Sequence, residues 1–152
     1  MQLTPHFKLV ELTRSNTAQR LKLDNTPPPD VERRLLYTAE MLERIRSTLG
    51  VPIIVTSGYR GPVLNRAVGG VSSSDHMTGE AVDFIAPRFG MPFAVAALLA
   101  PLVSTLGIGQ LLYESIGGKQ WVHASTRQPD RMVNRILTIT ASSVRPGIHQ
   151  AA

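Results

Sequence analysis

The sequence contains no cysteine, which excludes disulfide bonds and thiolate metal sites. A metal ion in this protein can therefore be bound only by histidine, carboxylate, carbonyl or water. The redox compartment cannot be inferred from cysteine usage. With 152 residues, the chain fits one domain that is large enough to bury a core without covalent cross-links.

Aromatic residues are also scarce, at 5% of the chain, while the formal net charge is +5. A nucleic-acid-binding surface usually combines a dense basic stripe with nearby aromatic side chains. Here the basic residues are scattered, so we predict no nucleic-acid partner. The positive charge instead favours attraction to the anionic polymers of a bacterial wall or envelope.

No hydrophobic run is long enough to cross a bilayer. The most apolar stretch, FAVAALLAPLV at residues 93–103, is about half the required length and contains Pro101, so it predicts a buried helix. The N-terminal segment MQLTPHFKLVELTR lacks the apolar centre of a secretory signal. We therefore predict no membrane span and no signal peptide, with synthesis in the cytoplasm.

The hydrophobic pattern predicts helices around a small sheet. One helix is predicted at residues 31–49, between Asp30 as N-cap and Gly50 as C-cap, and a second at 93–106, interrupted near Pro101. Strands are predicted at residues 53–56, 80–86, 109–115, 120–126 and 134–140, with a hairpin turn at IGGK. This pattern indicates an α+β domain at residues 1–142 with a largely antiparallel sheet, followed by a flexible tail at 143–152.

Two of the four histidines occur in a pattern typical of metal ligands. The stretch SSSDHMTGEAVDF, residues 72–84, places His76 seven residues before Asp83, and Gly79 permits a tight turn between them. Asp83 begins an apolar run, where a charge without a partner is costly. His123 is predicted in mid-strand, on the same face as Trp121. Two histidines and a carboxylate form the ligand set of catalytic zinc, although a turn-capping aspartate, a surface histidine and a core histidine would also explain these residues.

Three segments resemble the zinc D-alanyl-D-alanine carboxypeptidase family, which also contains phage endolysins that cut L-alanyl-D-glutamate bonds. The family signature Ser-x-His-x-x-Gly-x-Ala-x-Asp is matched by Ser74, His76, Gly79, Ala81 and Asp83. TSGYR at residues 56–60 resembles the family's Ser-Gly-Tyr-Arg segment, and WVHAS at 121–125 resembles the segment with the third metal ligand. The resemblance covers residues 51–125 and implies the fold of D-Ala-D-Ala carboxypeptidases and Hedgehog-like domains.

The resemblance also implies the roles of individual residues. One zinc ion per chain would be held by His76, Asp83 and His123. Arg60 would pair with a substrate carboxylate or stabilise the oxyanion, unless it is an ordinary surface arginine. The residues with implied substrate contacts are Tyr59, Arg60, Ser74 and Trp121, although Ser74 could instead only shape its loop.

The general base is where the sequence departs from the commoner family pattern. Many relatives carry an acidic residue three positions before the third ligand, and here that position is Gln120. In the predicted hairpin, Glu114 can face Trp121 and has His123 as its diagonal neighbour. A branch of the family resembles this chain in carrying a Tyr-Glu pair before Trp-Val-His. We therefore predict Glu114 as the catalytic base, with Glu80, or a loss of catalysis, as the alternatives.

Together these observations predict a monomeric zinc metallopeptidase that hydrolyses amide bonds in peptidoglycan stem peptides, as a carboxypeptidase or an endopeptidase. The small domain, its basic charge and the missing signal favour a phage endolysin that acts on the cell wall after release from the cytoplasm. The alternative is a non-catalytic, zinc-stabilised module for cell-wall binding or virion assembly.

Overall fold

A mixed sheet runs through the molecule in the computed structural model, which describes residues 1–151. The strands are β1 (Gln2–Thr4), β2 (Phe7–Lys8), β3 (Ile54–Ser57), β4 (Ala81–Ile85), β5 (Gln110–Ile116), β6 (Lys119–Ser125), β7 (Ile136–Thr140) and β8 (Val144–Pro146). Strands β1 and β2 form a separate ribbon, and the main sheet has the order β3-β4-β6-β5-β7-β8. Within residues 1–151, β5 and β7 form the one parallel pair of this sheet, and its other pairs are antiparallel. This pairing confirms the predicted α+β fold with a largely antiparallel sheet.

The helices are α1 (Leu9–Thr13), α2 (Asn16–Leu21), α3 (Pro29–Leu49), α4 (Pro62–Ala67), α5 (Pro92–Leu99) and α6 (Val103–Leu106). Of these, α1, α3, α5 and α6 contribute to the hydrophobic core that they share with one face of the sheet. The buried side of α3, with Leu35, Leu42 and Ile45, belongs to the same hydrophobic core as Phe84 and Val122 of the sheet. Since side chains alternate along a strand, the residues between these core positions point to the opposite face.

The longest helix begins earlier than its sequence pattern predicts. Pro28 is the N-cap and Pro29 the first helical residue, because proline has no N–H to leave unpaired in the first turn. The prediction of Asp30 as N-cap is therefore wrong, and Asp30 instead forms an ion pair with Arg34 at 2.7 Å. Gly50 ends the helix at φ = 70°, as predicted.

The predicted hairpin is present as β5 and β6, joined by Gly117 and Gly118. Both glycines have positive φ, at 61° and 76°, which the tight turn requires. Helices α5 and α6 are separated by a 3-10 turn at Ala100–Leu102, which contains the proline predicted to interrupt the helix. Among residues 1–151, no helix is long and apolar enough to span a membrane.

The segment predicted as a flexible tail adds β8 to the edge of the sheet. Strand β8 pairs with β7, and the Gly147 amide then donates to the Ile136 carbonyl at 2.8 Å. The His149 amide donates to Thr138 Oγ1 at 2.8 Å. Ordered contacts thus extend beyond the predicted domain boundary at residue 142, while the flexibility of this segment stays a prediction. Ala152, the last residue of that segment, lies outside the described residues.

Candidate metal centre

Two of the predicted ligands are brought together by strand pairing. Asp83 of β4 lies directly opposite His123 of β6, on the face of the sheet away from the helical core. The Nδ1 atom of His123 is 2.9 Å from Asp83 Oδ1. This pairing explains how residues forty positions apart in the sequence come into contact.

The third predicted ligand, His76, lies in the 3-10 turn Asp75–Thr78. Ser74 accepts a hydrogen bond from the His76 amide at 3.2 Å, and Gly79 ends the turn at φ = 80°. The Nδ1 atom of His76 is 2.8 Å from the Gly58 carbonyl, which can only accept, so Nδ1 carries the proton. In the neutral ring the Nε2 lone pair is therefore free, and Nε2 lies 3.3 Å from Asp83 Oδ1. A second hydrogen bond that fixes the tautomer is typical of metal-binding histidines.

The three residues fit a zinc ion in donor chemistry and in spacing. Their ligand atoms all lie within 4.8 Å of one another, and among residues 1–151 this is the one group of its kind. Donors about 2.0–2.1 Å from a tetrahedral zinc ion are roughly 3.3–3.4 Å apart. The separations of 2.9 and 3.3 Å in the protein are close to that value. Two imidazoles and one carboxylate also leave a fourth coordination position open, as in catalytic zinc sites.

The electrostatics of the group favour an ionised carboxylate. Burial opposes the ionisation of Asp83, but His76 and His123 outweigh it and hold the pKa of Asp83 well below its usual range. Burial also acts to lower the pKa of His123, but its hydrogen bond with Asp83 and the charge of Asp83 raise that pKa overall. Because a ligating imidazole must be neutral, we expect metal binding to displace a proton from this pair.

A cleft of about 620 Å³ contains the three residues and most of the other predicted site residues. The predicted residues that line it together with the ligands are Arg60, Ser74, Glu114 and Trp121. Tyr59 is the exception, because its side chain is buried and lines a separate, smaller cavity. The substrate contact that the resemblance implies for Tyr59 therefore stays a prediction, and the structure places its side chain outside the cleft.

Glu114 occupies the position that the hairpin register predicts. It lies directly opposite Trp121, while Leu112 lies opposite His123, so Glu114 and His123 are diagonal neighbours. Burial and then the negative charge of Asp83 raise the pKa of Glu114, against the opposing effects of His123, the Trp121 indole and Arg60. The indole Nε1 of Trp121 is buried without a well-aligned hydrogen bond, although it approaches Glu114 closely enough to favour the ionised carboxylate. A raised pKa suits a carboxylate that must accept and then release a proton.

Arg60 is a partly buried cation beside the ligands. Its amide donates to the His76 carbonyl at 3.1 Å, and its Nη2 donates to Ser74 Oγ at 3.3 Å. Its Nε is buried with no hydrogen-bond partner. Burial lowers the pKa of Arg60, while the charges of Asp83 and Glu114 act to raise it. A partly buried guanidinium that lines the cleft is suited to an incoming carboxylate or carbonyl oxygen.

The two alternative sources of a base lie elsewhere. Gln120 pairs with Ser115 and belongs to cavities on the other side of the hairpin, and not to the cleft. Glu80 is absent from the lining of the cleft, and its carbonyl accepts a hydrogen bond from the Thr126 amide at 2.9 Å. Of the acidic residues considered from the sequence as a base, only Glu114 lies in the cleft.

Sequence reasoning missed the part of the cleft that follows β6. The additional lining residues there are Arg127, Pro129, Asp130, Arg131, Asn134 and Ile139. Apart from Ile139, these residues lie between strands in a segment without hydrophobic periodicity, so no sequence pattern assigned them to the site. Asp75 could have indicated that another segment approaches the site. It is an acidic residue inside the signature, and a carboxylate in a buried turn must have a partner.

A comparison with protein-family models places most of the chain in a known group. The model described as peptidase M15 matches residues 5–124, which include the three candidate ligands and Glu114. None of the curated proteins compared with the chain matches it.

Proposed function

Because the chain belongs to the peptidase M15 family, we propose that it is a zinc-dependent peptidase that hydrolyses amide bonds in peptidoglycan stem peptides. The family membership confirms the predicted resemblance, and the group of His76, Asp83 and His123 supports a metallopeptidase. The observation that carries the proposal is the placement of Glu114 in the same cleft as these three residues. A zinc-stabilised binding module would have no need of a buried carboxylate at this position.

His76, Asp83 and His123 would hold the zinc ion. When bound, zinc acts as a Lewis acid that polarises a carbonyl group and lowers the pKa of a water molecule. The Glu114 carboxylate accepts a proton from the attacking water and then donates it to the nitrogen of the departing amine. A raised pKa assists the first of these transfers, because a carboxylate with a higher pKa is a stronger base.

Arg60 and Trp121 position the peptide around this carboxylate. The guanidinium of Arg60, which lines the cleft, donates to a substrate carboxylate, or to the oxygen that becomes negative as the amide carbon becomes tetrahedral. Trp121 lies beside Glu114 in the cleft wall, and its indole excludes water from the carboxylate. Ser74 holds the guanidinium of Arg60 through its hydroxyl group.

We further propose that the protein acts as a phage endolysin, as a monomer, on the cell wall after release from the cytoplasm. A formal charge of +5 supports this proposal, because anionic wall polymers attract a basic protein and raise its local concentration. Carboxypeptidase and endopeptidase action are both compatible with the family membership, and the products of digestion distinguish them.

The test is digestion of purified peptidoglycan, with mass analysis of the soluble products, in the presence and absence of a zinc chelator. We expect the zinc-loaded protein to release new free amino groups, either as amino termini of stem-peptide fragments or as free amino acids, and we expect none after chelation. The Glu114→Gln variant should keep its zinc and lose roughly 10²–10⁴-fold in rate, the usual contribution of a general base. Gln120→Ala is the control and should lose little. A zinc-loaded, unmodified protein that releases no new free amino groups would establish the binding-module alternative.

A further inference from the structure

One wall of the cleft comes from a segment outside the family match. Residues 127–134 line the cleft with Arg127, Pro129, Asp130, Arg131 and Asn134, whereas the match to the peptidase M15 model ends at residue 124. The candidate ligands and base thus lie in the part of the chain that the family shares, and this wall does not. Substrate preferences particular to this chain are expected to arise from such a segment.

The wall is tied to the turn that carries His76. Asp75 accepts hydrogen bonds through Oδ1 from Arg127 Nε and through Oδ2 from Ser125 Oγ, at 2.7 and 2.9 Å. The Nη2 atom of Arg127 lies 2.7 Å from the same Oδ1 atom. The Asp75 side chain is 12% exposed and that of Arg127 is 52% exposed, so the carboxylate is shielded from water while the guanidinium is partly solvated. The start of the wall is therefore fixed relative to the candidate metal ligands.

The other contacts hold the wall along its length. A Cβ atom at Gly109 would lie 2.4 Å from the carbonyl carbon of Arg127, so the two backbones pack closely at this point. Gln110 Nε2 donates to the Asn134 carbonyl at 2.8 Å. Arg135 Nη2 donates to the Ile108 carbonyl at 2.9 Å. A segment anchored at both ends presents its side chains to a ligand at a low entropic cost.

The charged side chains of this wall that form no salt bridge within residues 1–151 are Asp130 and Arg131, and Arg131 is the cation of the two. The guanidinium of Arg127 is already paired with Asp75, whereas Arg131 has neither a salt bridge nor a side-chain hydrogen bond within residues 1–151. Arg60, the other arginine of the cleft, is partly buried beside Asp83 and Glu114, whose charges act on it. The cleft therefore has a second cation that forms no ion pair within residues 1–151, next to Asp130, on the wall that the family match does not include.

We propose that Arg131 is a specificity-determining residue that binds a carboxylate of the peptide substrate, distinct from the group that Arg60 contacts. A guanidinium pairs with a carboxylate through two parallel hydrogen bonds, which gives both charge and geometric selectivity. This inference rests on the proposed peptidase function and adds a substrate class to it. The preferred substrates are peptides with a free side-chain or terminal carboxylate near the scissile amide.

The experiment uses a set of synthetic stem-type peptides in which each carboxylate in turn is replaced by a carboxamide. We expect one replacement to lower kcat/KM of the unmodified, zinc-loaded protein by about 10-fold, mainly through KM. Arg131→Ala should show the same loss with the unreplaced peptide and no further loss when that carboxylate is removed. Arg131→Lys should recover part of the loss, and Arg88→Ala, at an exposed arginine outside the cleft, is the matched control.

Two results would overturn the assignment of Arg131. One is a kcat/KM of Arg131→Ala within twofold of the unmodified value for every peptide, and the other is an unchanged cost of amidation in that variant. Both leave the peptidase itself active, so they differ from a failure of the proposed function, in which no peptide is cut. In that case, calorimetric binding of the same peptides to zinc-loaded Glu114→Gln decides on Arg131, because equal affinity with and without the Arg131→Ala change would refute its role.

Discussion

Substitution of Gly79 by alanine is expected to weaken the fold and the metal site together. Gly79 adopts φ = 80° at the end of the turn that carries His76, four residues before Asp83. A Cβ atom there would lie 2.9 Å from Val31 Cγ1 and 3.2 Å from Leu35 Cγ of α3. A left-handed backbone costs a residue other than glycine roughly 1–2 kcal/mol. Overpacking of a core typically costs about 1–3 kcal/mol. We therefore expect Gly79→Ala to lower the free energy of unfolding by about 2–5 kcal/mol.

Gly118→Ala is the matched control for this prediction. Gly118 has nearly the same φ, at 76°, but a Cβ atom there meets nothing within 4 Å, so only the backbone cost of roughly 1–2 kcal/mol applies. Urea unfolding of both metal-free variants measures the difference, and competition with a chromophoric chelator measures zinc affinity. Gly79→Ala should bind zinc more weakly, and Gly118→Ala should bind it normally. Equal losses of stability in the two variants would refute the packing argument, which requires the turn to press against α3.

Three further predictions concern the site residues. His123→Ala is expected to lose stoichiometric zinc by metal analysis, because it removes one of three ligands, and retention of one zinc per chain would contradict the assignment. Burial raises the pKa of Glu114, so its ionisation opposes folding, and stability is lost as the pH rises through the ordinary glutamate pKa. Metal-free Glu114→Gln should therefore unfold at a higher temperature than the unmodified protein at pH 7 and at the same temperature below about pH 4. Calorimetric scans that show the same difference in unfolding temperature at both pH values would contradict this. Arg60→Ala should fold and bind zinc but lose roughly 30–1,000-fold in kcat/KM. This loss corresponds to about 2–4 kcal/mol for a fixed donor at a developing oxyanion. Unchanged hydrolysis would reduce Arg60 to a structural residue.

Periodicity and residue chemistry predicted the parts of the site that depend on local sequence. The helical spacing over residues 31–49 identified α3, and the alternation of side chains in the hairpin was enough to place Glu114 beside His123. The histidine and aspartate of the signature could be expected to converge because a glycine turn and a strand separate them. These inferences succeeded because they need only short-range geometry and one strand pairing.

Contacts between distant segments could not be predicted in the same way. Asp75 and Arg127 are 52 positions apart, and nothing in the segment after β6 marks Arg127 as the partner of a buried acid. Tyr59 follows Gly58, whose missing side chain lets the backbone approach Leu12, and the tyrosine enters the core as a result. Such placements depend on which backbones pack against each other, and a single sequence does not encode that choice in any periodic pattern.

Strand geometry accounts for the position of Glu114, the residue that we propose as the base. Strand β6 pairs with both of its neighbours without a register shift, so Trp121, His123 and Ser125 share the face that forms the cleft. A residue three positions before His123 lies an odd number of steps away and points to the opposite face. An acidic residue at position 120 would therefore point away from the ligands in this regular strand, whereas a residue on the neighbouring strand, opposite position 121, points towards them. Glu114 is that residue, so the cleft contains a carboxylate although position 120 is a glutamine.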